Sequence, residues 1–209
     1  MKKWLTILMA VLMLMAVATA YAAVPSKTTA DVTQVQEVVS ASGVALPNTM
    51  TVEVVKNDEK VEKEIEKLYT FVNNPDESAA PIEFFPEEVQ TQVQTQLVAM
   101  GLENYDMKQL QINEFVAIKE IGYDAQYGDI VTTFSFATKY AKGTKLVGLL
   151  GIYSDEVDEN GNYLVEWVVV EAEAQEDGSV AFVLPQEQMV RIQEASSTAL
   201  TVLSEPMAQ

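Results

Sequence analysis

A chain of 209 residues with no histidine and no cysteine is closed to imidazole catalysis, thiol nucleophiles, disulfides and thiolate metal sites. Its 31 acidic against 13 basic residues give a net charge of −18, a balance that repels nucleic-acid backbones and anionic membrane surfaces. With 48% hydrophobic residues the chain can bury a core, and the chemistry left to it is that of carboxylates, lysine, tyrosine and oxygen-ligated cations.

Residues 1–22, MKKWLTILMAVLMLMAVATAYA, read as a secretory signal peptide. Lys2 and Lys3 form the basic start, an apolar run follows, and Ala20-Tyr21-Ala22 supplies the small residues a signal peptidase reads. The expected mature N-terminus is Ala23. The expected location is extracellular or in the cell envelope, with no membrane contact after cleavage and no nucleic-acid partner.

Residues 23–110 read as a small helical lobe. Val32, Val35, Val38 and Val39 fall near helical spacing and predict a helix over 30–41. TMTVEVV at 49–55 alternates like a short strand. Asn57 or Asp58 can cap a helix running to about Val72, with Val61, Ile65, Leu68 and Val72 on one face and a Glu/Lys run on the other. NNPDESAAP at 73–81 breaks the chain. Pro86 then opens a helix in its first turn, Glu87 and Glu88 sit near its positive end, and Val89, Val93, Leu97 and Met100 form its apolar stripe. Gly101-Leu102 has the form of a Schellman stop.

From residue 111 to 209 the texture is that of strands. DIVTTFSFAT at 129–138 alternates, with Ile130, Thr132, Phe134 and Phe136 on one face. KLVGLLGIY at 145–153 is apolar enough for a central strand, and Gly148 and Gly151 suggest close backbone approach. YLVEWVVVEAE at 163–173 follows an Asn160-Gly161 turn, and Glu176-Asp177-Gly178-Ser179 makes a second hairpin turn before 180–184. A helical turn or two at 186–193 and a last strand at 198–203 complete the chain.

YGDIVTTFSFAT, KLVGLLGIY and DGSVAFVLP resemble in texture the immunoglobulin-like modules of bacterial secreted proteins, although the Cys…Trp…Cys framework is absent. The expected fold class is α+β: a small N-terminal helical lobe packed with a C-terminal antiparallel β-sandwich, immunoglobulin-like by analogy. Trp167 is expected in the core, shared with the strands at 130–136 and 146–153.

Three constellations are candidates for function. Glu156, Asp158 and Asn160, ahead of Gly161, approximate the start of a calcium loop, but Trp167 stands where a bidentate glutamate belongs. The segment reads first as an acidic hairpin and second as a weak calcium site; no other cofactor is expected. Tyr123 and Tyr127, in the loop IGYDAQYGD, are the exposed aromatics best suited to stack on a ligand. Tyr140, Tyr153 and Tyr163 fall in the same half of the chain. Glu114, Glu120, Glu166, Glu171 and Glu173 are the carboxylates from which an acid–base pair could be drawn, and Glu171 and Glu173 share a strand face. The leading expectation is an exported, non-catalytic binding or cell-envelope protein whose partner is a protein or a glycan. The alternatives are a carboxylate-based glycan hydrolase and an extracellular inhibitor or assembly module.

Overall fold

The computed structural model describes residues 29–74 and 79–206. The expected signal peptide and its expected cleavage after Ala22 lie outside the described residues. Eight strands form one antiparallel sheet: β1 (Gln34–Ser40), β2 (Thr51–Val55), β3 (Gln111–Ile121), β4 (Ile130–Ser135), β5 (Leu146–Val157), β6 (Tyr163–Ala174), β7 (Val180–Leu184) and β8 (Ser197–Ser204). Their order is β1-β4-β7-β6-β5-β8-β3-β2. Among the described residues four α-helices accompany them: α1 (Thr29–Val32), α2 (Glu59–Val72), α3 (Glu87–Ala99) and α4 (Gln186–Glu194). No helix among the described residues is long and apolar enough to cross a membrane.

The sheet curls until its edge strands β1 and β2 lie near each other, which makes it almost a barrel. β6 joins the two halves: Tyr163 to Val170 pair with β5, and Glu171 to Ala174 pair with β7. The halves face each other over an inner core. Val116, Ile118, Leu150 and Leu200 come from one side, Ile130, Phe134 and Phe182 from the other. Met189 and Ile192 of α4 join this core, and Gln193 of the same helix donates to the Tyr123 carbonyl.

A second core covers the outside of β3, β8, β5 and β6. Val61, Ile65 and Leu68 of α2, Val89, Val93 and Leu97 of α3, and Phe85 pack on Phe115, Leu149, Trp167 and Leu203. The two helices form as their sequences indicate. The Asp58 side chain accepts from the backbone N–H groups of Lys60 and Val61 at the start of α2. Pro86 is the N-cap of α3 rather than a first-turn residue. The helix ends with Leu102 N–H bonded to the Leu97 carbonyl and Gly101 N–H to that of Val98, and Gly101 takes the left-handed φ of 80° this stop requires. The helices therefore share their core with the long strands, and residues 29–110 also supply both edge strands, β1 and β2.

Two expectations are corrected. Residues 34–40 form a strand, and only Thr29–Val32 is helical within the segment 30–41. The β-branched valines favour extended backbone. A bulge at Gln36 puts Val35 opposite Phe134 and Val38 opposite Thr132, so residues three apart both face the inner core and imitate a helical period. Trp167 is buried as expected, but it faces the helices. The inward face of 130–136 belongs to the other core.

Candidate functional site

The aromatic candidates are mostly interior. Tyr123 is only 5% exposed, against the expectation of an exposed platform. Its ring meets Tyr127 edge-on at 6.2 Å and its hydroxyl donates to the Gly128 carbonyl at 2.9 Å. Burial, followed by the nearby charges of Asp129, Asp124 and Glu120, raises its pKa above the ordinary tyrosine value. Tyr127 is half-buried at the rim of the inner core. Tyr140 and Tyr153 are buried, and Tyr163 is half-buried with the ammonium groups of Lys60 and Lys63 at 4.8 and 5.0 Å from its ring centre.

The hairpin candidate is organised around its own turn. Asp158 Oδ1 accepts from the N–H groups of Asn160 and Asn162, both at 2.8 Å, and Oδ2 accepts from Asn162 Nδ2 at 2.9 Å. These bonds, those from Asn162 foremost, hold the carboxyl below its ordinary pKa. Glu156 is exposed and points to no shared centre with it: among the described residues no three Asp or Glu side chains converge in a metal-holding group.

Of the carboxylates named as an acid–base reservoir, Glu114, Glu120 and Glu166 are dispersed, and only Glu171 and Glu173 lie side by side. Glu114 and Glu120 sit near opposite ends of β3 on its inward face, six residues or about 20 Å apart at strand rise. That is beyond the ~5–10 Å that glycoside hydrolysis requires. Glu114 faces inward because a bulge at Asn113 reverses the alternation after Ile112. It is 1% exposed, and the Thr138 N–H donates to it at 3.4 Å. Desolvation outweighs the hydrogen bonding from the Thr138 side chain and backbone and pushes its pKa up to about 7. Glu120 accepts from the Tyr123 N–H, and burial raises its pKa also. Glu166 pairs with Arg191 at 2.5 Å across an open groove of about 580 Å³.

Glu171 and Glu173 lie on the outer face of the sheet, in the half that the helices leave open. Register places them in two rows across four strands. Val39, Val131, Val183 and Glu171 make one row; Glu37, Thr133, Ala181 and Glu173 make the other. All but Val39 of these residues line a trough of about 610 Å³, walled by Gln96 and Met100 at the end of α3 and by the loop before Leu146. Valine, threonine and alanine form the floor, half-exposed, and the three glutamates stand exposed at its sides without ion-pair partners among the described residues. Glu37, Thr133 and Ala181 were not singled out from the sequence. Their signal there is outward alternation of small residues, which any solvent-facing strand displays.

Compared with models of known protein families, with curated proteins and with solved structures, the chain matches none.

Proposed function

We propose that this chain is an exported, non-catalytic binding protein of the cell envelope or the medium, and that it binds through the open outer face of β1, β4, β7 and the end of β6. The export half of the reading rests on residues 1–22. The binding half rests on one observation: α2 and α3 cover the outer face of only one half of the sheet, and the other half carries a walled trough. The two halves of the sheet share one packed inner core, which supports reading them as a sandwich-like scaffold that presents such a face. Of the candidate carboxylates only Glu171 and Glu173 lie side by side, and both stand exposed on an open face rather than in a closed cleft, which favours binding over hydrolysis.

The test uses Ala181→Arg, which raises a long charged side chain from the trough floor. Binding to the native partner is expected to be lost in this variant and kept in Asp158→Ala, at the far hairpin. Retention of binding by Ala181→Arg moves the site elsewhere. Glycan turnover abolished by Glu171→Gln overturns the non-catalytic reading. Intact mass of the exported protein beginning at Ala23 supports export, and a retained Met1 defeats it.

A further inference from the structure

We infer that the trough takes an extended, cationic polypeptide segment whose basic side chains stand four residues apart. This rests on the reading of the chain as a binding protein and adds the chemistry of the partner.

The charge argument comes first. The lining holds Glu37, Glu171 and Glu173 against one base, Lys145, on a chain whose net charge is −18. None of the three glutamates is ion-paired among the described residues. A ligand with lysine or arginine gains at the sides of the trough, and an anionic one is repelled. A second copy of this chain would bring like charge against like charge. A glycan would want a flat aromatic face, and no aromatic residue lines the trough.

Geometry then sets the spacing. Glu37 and Glu173 end one row, separated by Thr133 and Ala181. Three interstrand steps of ~4.8 Å put them about 14 Å apart. An extended chain covers that distance in about four residues, and residues i, i+2 and i+4 point the same way. A segment Lys-x-Val-x-Lys laid across the strands sets its two ammonium groups at Glu37 and Glu173. Its valine then rests on the small side chains of Thr133 and Ala181, with Met100 as an adaptable wall. A helix would need about nine residues for the same span, and its width of about 10–12 Å exceeds the spacing of about 7 Å between the two rows.

The probe is a fluorescein-labelled, end-blocked peptide, Gly-Lys-Ser-Val-Ser-Lys-Gly, titrated with the full chain and read by fluorescence anisotropy. Saturable binding is expected at low salt, weakened at about 0.3 M salt as screening shortens. Glu37→Gln and Glu173→Gln should each weaken it about threefold to fivefold, the size of an exposed charge contact. The peptide Gly-Lys-Val-Lys-Ser-Ser-Gly, with its lysines two apart, should bind weaker by a similar factor. Both variants are expected to retain folded-state tryptophan emission, the control by which loss of binding reports the site. Absence of binding at about 1 mM peptide, equal binding of the two spacings, or indifference to both glutamate changes overturns the inference. If the probe fails and Ala181→Arg still abolishes binding of a different partner, the binding reading stands and the cationic assignment falls. If Ala181→Arg affects neither, both fall.

Discussion

The indole of Trp167 lies flat over Gly151, its directly opposite neighbour on the adjacent strand. A Cβ at residue 151 would stand 2.6 Å from Cζ3 and 2.7 Å from Cη2 of the ring. Phe85 and Phe115 meet the same ring edge-on at 5.0 and 5.7 Å, so the indole has no room to retreat. Gly151→Val is therefore expected to expel the ring or part the strands, and Trp167→Ala to leave a cavity costing about 3–5 kcal/mol. Urea denaturation checks both. A chain beginning at Ala23, in which Trp167 is the only tryptophan, should emit at short wavelength and resist quenching; long-wavelength, quenchable emission would place the ring outside the core.

Glu114 makes stability depend on pH. Its folded pKa of about 7 lies above the ordinary carboxyl value of 4.5, so folding favours its protonated form. The stabilisation it contributes is complete below about pH 4.5, falls as pH rises through 7, and is then lost, a change on the order of 3 kcal/mol. Glu114→Gln keeps the shape without the charge. It should match the parent at pH 4 and exceed it by about 2–3 kcal/mol at pH 8 in denaturant titrations. Parallel pH profiles for the two proteins would contradict this.

Asp58 joins α2 to the sheet. One oxygen caps the helix, and the other accepts from the Ser197 hydroxyl at 2.7 Å, where β8 begins. Asp58→Ala is expected to cost about 1–2 kcal/mol. Asp58→Asn, which still offers an acceptor to the N–H groups, should recover most of that loss in thermal unfolding.

Asp158 is committed to its turn, so calcium would have to displace three hydrogen bonds to use it. Calorimetry is expected to give no affinity tighter than about millimolar. Asp158→Ala should speed amide exchange at Asn160 and Asn162. A micromolar calcium affinity removed by the same substitution would reverse the reading.

Much of the architecture was legible in the sequence, because local rules acted alone there. Asp58, Pro86 and Gly101-Leu102 mark helix ends through bonds made within a few residues. The alternation of Ile130, Thr132, Phe134 and Phe136 sends all four to one buried face whatever lies opposite. Asn160-Gly161 and Asp177-Gly178 turn β5 into β6 and β6 into β7 for the same local reason.

What lay outside it depends on partners distant in the chain. The helical spacing of Val35 and Val38 is a β-bulge, and a bulge is defined only by the strand beside it, here β4. Period-2 alternation sent Trp167 to one face of β6 but did not say which layer covers that face; α2, α3 and the turn between them do. Tyr123 looked like a loop residue, and α4, some 65 residues further along the chain, buries it. The trough is the extreme case. Glu37, Thr133, Ala181 and Glu173 come from four separate strands, and only the sheet order β1-β4-β7-β6 lines them up. Composition determined by itself that the protein is acidic and free of histidine and cysteine, and local pattern determined most of its elements. Which faces meet, and which one is left uncovered, was decided by long-range strand pairing, whose register no single segment encodes.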